Sequence, residues 1–231
     1  MTIILELHNL EFAIDNRKIL KSISFSWEKG ESIAFIGGNG VGKSTLLKII
    51  ALLHKPTGGN LMLPDGISER SWKNNVGVVF PENFLYDSLT SQENLRFYQH
   101  LYGKADERYI DSLLHKVQLG RVMDKPVGTY SKGMKQRLSI ARALVHQPEY
   151  LLLDEPFDGL DLKSKVIIEG MLAEHKHLGN GYILVSHDVK HAFELCERAI
   201  LLHDGKIVLN KKCSQSSFEP FINTYRSLLE R

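Results

Sequence analysis

The apolar pattern predicts a strand from Ile3 to Leu10 and a second from Ile19 to Trp27, with Asp15-Asn16-Arg17 as the turn signal between them. Lys29-Gly30-Glu31 then turns the chain into Ser32-Ile33-Ala34-Phe35-Ile36, an apolar run that reads as a buried strand. A helical stretch follows from about Lys43 to Leu53. Lys55-Pro56-Thr57-Gly58-Gly59 breaks it, and Asn60 to Leu63 and Asn75 to Phe80 are short strand candidates.

From Thr90 the pattern turns helical. One helix runs to about Tyr102, with Glu93 three residues after Thr90 as a capping box requires. A second runs from about Asp106 to Gln118, and a long one from Ser131 to His146 after a loop over Val122 to Tyr130. Phe84 to Gln147 therefore reads as a helical block inserted into an α/β chain. Beyond it, strands at Tyr150–Leu153 and Gly181–Val185 alternate with helices at Lys163–His177 and His187–Cys196. Ala199–His203 and Lys206–Asn210 make a hairpin around Asp204-Gly205. Phe218, Phe221, Ile222, Tyr225, Leu228 and Leu229 follow helical spacing, a face expected to pack on the chain's own core. The alternation implies an α/β fold with a largely parallel sheet, preceded by antiparallel strands.

Composition narrows the class. The 231 residues suffice for one large domain or two small ones, and 43% hydrophobic with 24% charged residues is ordinary for a globular chain. A net charge of +2 gives no reason to expect nucleic acid or an anionic membrane surface as partner. Cys196 and Cys213 have neither metal nor redox spacing, so reduced cytosolic thiols are the plain expectation. No apolar run is long enough to span a bilayer, and the first residues carry no signal-peptide pattern. A membrane role would come through a partner.

The candidate chemistry begins at Gly37-Gly38-Asn39-Gly40-Val41-Gly42-Lys43-Ser44-Thr45, which fits G-x-x-x-x-G-K-[ST] between a strand and a helix. The glycines let backbone N–H groups wrap a polyphosphate, and the helix N-terminus favours an anion. Lys43 is expected to reach the outer phosphates, and the Ser44 hydroxyl to ligate Mg²⁺. Leu151-Leu152-Leu153-Asp154-Glu155 ends an apolar strand in two carboxylates, where open α/β sheets bind ligands. Asp154 is placed to hold Mg²⁺ and Glu155 to polarise an attacking water. Alone, such a strand end is equally compatible with solvated acids; beside the phosphate loop it supplies what that loop lacks. Ser131 and Gly133 open the helix Ser131–His146, by themselves an ordinary N-cap.

The ordered set resembles the nucleotide-binding subunit of an ATP-binding cassette (ABC) transporter. It comprises Gly37–Thr45, Ser131–Gln136, Leu151–Glu155, Asp158-Gly159-Leu160-Asp161 and Val185-Ser186-His187-Asp188, and the likeness runs from about Leu5 to Asn210. The resemblance implies a single domain over residues 1–231. It has a RecA-like parallel-sheet core, an N-terminal antiparallel β subdomain and an α-helical subdomain over about 84–147. It implies two subunits, a homodimer or a pair of paralogues, meeting head to tail with two ATPs between them. Each ATP lies on one subunit's phosphate loop and under the other's signature residues, here Ser131, Lys132, Gly133 and Met134. Asp161 helps link the sites, and His187 contacts the γ-phosphate and orients water. Leu85 to Leu95 with Tyr130 to Met134 looks most like subunits of two-component exporters, which places the chain on the inner face of the cell membrane beside a separate permease.

Four positions depart from the family pattern. Lys132 and Met134 replace a Gly and the Gln of Leu-Ser-Gly-Gly-Gln; a cation at a helix start needs a facing negative charge, which a triphosphate would supply. Pro81 stands where the family places a metal-sensing Gln, with Glu82 next to it. The aromatic that stacks on adenine aligns with Ile14, while Phe12, two residues earlier on the strand, is expected on the same face. Two other uses of the same machinery stay open: a non-transport ABC ATPase, and a nucleotide-gated interaction module with little turnover.

Overall fold

The computed structural model describes residues 2–229; residues 1, 230 and 231 and the side chain of Leu229 lie outside the described residues. Nine strands and eight α-helices follow one another among them. β1 (Ile3–Ile14) and β2 (Arg17–Glu28) form a long antiparallel hairpin, joined on its other side by β4 (Gly58–Met62). Six strands make the second sheet. In spatial order they are β5 (Val76–Val79), β6 (Tyr150–Asp154), β7 (Gly181–Val185), β3 (Ser32–Ile36), β8 (Arg198–His203) and β9 (Lys206–Lys212). All neighbours are parallel except β8 and β9. That last pair turns at Asp204 and Gly205, whose φ values of 44° and 72° are what a two-residue primed turn demands.

Two apolar layers sandwich this sheet because its central strands are buried on both faces. On β3, Ile33 and Phe35 point to the layer shared with β1, β2 and α1 (Lys43–Ile50). Ala34 and Ile36 point to the opposite layer, built with the helices of the second half. Each large side chain so buried contributes about 1.5–3 kcal/mol. Because β3, β6 and β7 run parallel, the loops that follow them lie along one edge of the sheet.

Between β5 and β6 lie α3 (Ser91–Leu101), α4 (Glu107–Lys116) and α5 (Lys132–Leu144). The Thr90–Glu93 capping box that starts α3 is formed in both directions. α6 (Leu162–His177) and α7 (Val189–Leu195) connect the later strands. α8 (Gln215–Leu229) packs back on the core through Phe221, 1% exposed, with Phe218 and Phe221 edge-on to Phe193. A short helix, α2 (Glu69–Asn74), stands where no element is expected from the sequence; Ser68 caps it and Trp72 anchors it under Trp27 and Tyr150. Six residues carry too little periodicity to announce a helix, and here one buried indole decides the matter.

Candidate functional site

The loop from β3 to α1 is shaped by contacts that only glycine permits. A Cβ on Gly37 would lie 2.4 Å from the Leu202 carbonyl oxygen, and one on Gly42 2.6 Å from Leu20 Cδ2. Gly42 (φ 104°) is the N-cap of α1 and offers no capping side chain. The first N–H groups of α1 are therefore left for a ligand. Gly40, Lys43, Ser44 and Thr45 line a hollow of about 310 Å³ with Asp154 and Glu155. Val41 packs against the core and fixes the loop from beneath. Lys43 is buried and donates to the carbonyls of Gly37 and Gly38, each at 2.8 Å. Its burial lowers its pKa, and the charges of Glu155 and Asp154 act in the opposite sense.

β6 delivers the two carboxylates to this hollow. Asp154 is 2% exposed, and its Oδ2 is buried without a hydrogen-bond partner among the described residues. Burial raises its pKa; the Ser44 hydroxyl, Lys43 and Lys48 oppose that rise, and Glu82 adds to it. An orphaned carboxylate oxygen beside a serine hydroxyl is a donor set that fits Mg²⁺, which commonly takes one or two protein oxygens and completes its shell with phosphate and water.

Glu155 follows in a left-handed conformation, φ 50°. Its N–H donates to the Val185 carbonyl at 3.1 Å, which ties it to the end of β7. Its Oε2 lies 2.9 Å from His187 Nδ1 and accepts from the His187 backbone N–H at 3.4 Å. One carboxylate oxygen is thus held by His187, leaving Oε1 for water. Burial raises the Glu155 pKa, and His187 opposes this. The sequence pattern starts the helix after β7 at His187. The structure starts α7 at Val189, because Asp188 caps it by accepting from the His191 N–H at 3.1 Å. His187 is released from the helix and stays exposed.

At the start of α5, the Ser131 hydroxyl accepts from the Met134 N–H at 3.3 Å, and Met134 packs on the core. A Cβ on Gly133 would lie 2.8 Å from Ser164 Oγ. Asp161 caps α6 by accepting from the Ser164 N–H at 3.3 Å. The first turns of α5 and α6 are therefore in contact within one chain. Lys132 Nζ lies 3.3 Å from Asp158 Oδ2, so the negative charge expected from a triphosphate is already supplied by the chain itself. A cleft of about 640 Å³ brings Lys132 and Asp158 together with Gly38, Asn39, Glu155 and His187. Ser131 and Asp161 stand outside its lining.

A family model described as "ABC transporter" matches residues 20–158. The chain belongs to the ABC transporter family. It is 35% identical over 205 residues to the ABC transporter ATP-binding protein NatA of Bacillus subtilis, covering 84% of this chain and 83% of the relative. It is 33% identical to the lantibiotic transport ATP-binding protein SrtF of Streptococcus pyogenes, over 90% of each. Its fold matches a dimeric ATP-binding cassette in a post-hydrolysis state bound to ADP and Pi, with TM-score 0.80 and 27% identity over 91% of this chain and 99% of that one. The protein is an ABC-type ATPase, an ATP-binding subunit of a transporter with the ABC fold.

Two features of this ABC subunit differ from expectation, the place of Phe12 and that of Tyr225. Ile14, not Phe12, lines the hollow beside Lys43. Phe12 instead stacks on His54 with ring centroids 5.5 Å apart. The β1–β2 register shifts on both sides of Phe12, so two residues along the strand no longer share a face. Pro81 lines both the hollow and the cleft. Tyr225 of α8 also lines the cleft. Its helical spacing marked it for packing, and only the amphipathic nature of a tyrosine on such a face hints that its tip reaches a site.

Proposed function

We propose that this subunit hydrolyses Mg²⁺-bound ATP in a pair that shares two nucleotides, and that it drives export through a separate integral membrane permease. No helix among the described residues is long and apolar enough to cross a membrane, so the membrane-spanning path is assigned to that partner. The observation that carries the permease is a patch on the helical block. Phe84, Tyr86, Phe97 and Leu101 are 52%, 46%, 40% and 65% exposed, and Tyr86 and Phe97 pack edge to face. A cluster of this kind next to the Pro81 loop is what a protein-docking surface looks like. Pairing is supported by Leu162 and Val166, 78% and 57% exposed at the start of α6, directly after Asp161. The direction, export, rests on the likeness of residues 85–95 and 130–134 to subunits of two-component exporters.

In this reading the phosphate loop and Lys43 bind the polyphosphate, Ser44 and Asp154 hold the metal, and Ile14 borders the base. Bound Mg²⁺ supplies charge neutralisation at the transferring phosphoryl group. Glu155 takes the proton of the attacking water on Oε1, while His187 fixes Oε2 and turns its exposed ring edge to the γ-phosphate. Ser131, Lys132, Gly133 and Met134 meet the nucleotide of the second subunit, and Asp161 lies between the two sites.

Glu155→Gln is the test. The variant should bind ATP normally and turn over about 10²–10⁴-fold more slowly. Tagged and recovered from native membranes in mild detergent with ATP, it should bring a stoichiometric integral membrane protein with it. Recovery with a soluble partner alone would move the function to a non-transport ATPase. An unchanged rate would remove Glu155 from its role.

A further inference from the structure

We propose that Lys132 and Asp158 form an electrostatic latch: Asp158 holds Lys132 within its own subunit, and polyphosphate takes Lys132 from it when two subunits pair. The inference rests on the shared-site reading above and adds to it a residue, Asp158, that sets how much ATP pairing requires.

Lys132 is the first residue of α5, where a cation opposes the helix dipole. Ser131 already caps that helix, so Lys132 gains nothing from capping. The other cations in the first two turns have partners away from the cleft: Lys135 pairs with Asp87 at 2.8 Å, and buried Arg137 donates to the Val117 carbonyl. Lys132 alone of these lines the cleft, beside Gly38, Glu155 and His187. The loop under it leaves room for its head group. Gly159, at φ 63°, would with a Cβ place a carbon 2.5 Å from Lys132 Nζ.

The pair is built to be exchanged. Lys132 and Asp158 side chains are 65% and 58% exposed, so solvent screens their attraction and the contact is weak. A polyphosphate presents several negative charges to the same ammonium, against the single charge of Asp158. The exchange also has a path to the chemistry. The Asp158 N–H donates to the Glu155 carbonyl at 3.2 Å, so the loop that holds Lys132 is bonded directly to the residue assigned to the attacking water. The latch joins the start of α5 in the helical block to the loop after β6 in the core. While Asp158 holds the lysine, only the fraction of subunits with Lys132 free is competent to pair, and apparent affinity falls by that fraction.

The test uses Glu155→Gln protein, expected to bind ATP and turn it over slowly, and reads the ATP concentration that gives half-maximal dimer by light scattering. Adding Asp158→Asn should lower that concentration about two- to fivefold, with a smaller effect at high salt. Lys132→Ala should raise it, and Asp158→Asn should have no further effect in the Lys132→Ala background. An Asp158→Asn effect that persists without Lys132, or one of opposite sign, would overturn the latch. A Glu155→Gln parent that stays monomeric at saturating ATP would overturn the shared-site reading and the latch with it, whereas pairing without Lys132-dependent coupling would sink the latch alone.

Discussion

At the scale of single residues, the phosphate loop is organised around the Lys43 ammonium. Lys43 bridges the carbonyls of Gly37 and Gly38, which fixes its ammonium inside the loop. Its burial disfavours the charge, and Glu155 with Asp154 favours it. The loop therefore holds a partly desolvated cation whose best partner is a ligand. Lys43→Ala should remove charge-assisted bonds of about 1.5–3 kcal/mol each, weakening ATP about 10- to 100-fold by calorimetric titration. The fold should survive, because the glycine contacts with Leu202 and Leu20 remain. Unchanged affinity would exclude Lys43 from phosphate binding. Glu155 carries the complementary constraint: a non-glycine residue held at φ 50° stores strain that β7 and His187 enforce together.

At the scale of elements, the exposed aromatic patch of the helical block depends on one buried amide. Asn94, fully buried on α3, accepts from the Tyr86 N–H at 2.9 Å and donates to the carbonyls of Tyr86 and Thr90 at 3.0 and 2.9 Å. It fastens the segment bearing Phe84 and Tyr86 to the helix bearing Phe97. Asn94→Ala should leave backbone groups unpaired at a cost of about 1–3 kcal/mol. Hydrogen exchange should quicken over residues 84–90 and stay unchanged at α1. Permease-stimulated turnover should fall more than the subunit's own ATPase rate, and equal loss of both would count against the patch as a docking surface. The same segment shows what a sequence can and cannot disclose. The Thr90–Glu93 capping box was legible because its bonds are local, and the strand before the phosphate loop because both its faces are apolar. Asn94, α2 and the displaced Phe12 were not, since none follows a repeating local pattern: Asn94 is fixed by the irregular Tyr86 loop, α2 by the distant Trp27–Tyr150 pair and Phe12 by the irregular β1–β2 register. At the site, motif spacing named Lys43, Asp154, Glu155 and His187. It could not show Asp158 facing Lys132, or Tyr225 arriving in the cleft from α8, because neither contact leaves a local pattern.

At the scale of the whole molecule, two buried histidines lie where the helical block joins the sheet, and they couple stability to pH. His146, at the end of α5, stacks on Tyr102 from the end of α3, with ring centroids 3.8 Å apart. His175 of α6 packs beside the Gln147–Pro148 return joint. Burial lowers the pKa of each to about 4, against 6.5 for a free imidazole. Above pH 6.5 both are neutral whether the chain is folded or not, so they impose no pH dependence. Below it the unfolded chain takes up protons that the fold refuses, and stability falls until about pH 4, where the folded histidines protonate as well. Asp154 and Glu155 act in the opposite sense: burial raises their pKa values, so the fold takes up their protons first as pH falls. That uptake offsets part of the histidine loss as pH falls. Each histidine should therefore cost on the order of 2 kcal/mol at about pH 5 relative to about pH 7.5. Urea unfolding across that range measures the loss, and its slope should become shallower in His175→Gln, whatever that variant's stability at neutral pH. Because both rings sit at the seam, hydrogen exchange at mild acid should quicken first where α3 and α5 meet the sheet, ahead of β3 and β7. A stability that stayed flat from about pH 7.5 to about pH 5 would mean that these rings accept protons in the folded state, and the seam would then be wetter than its packing implies.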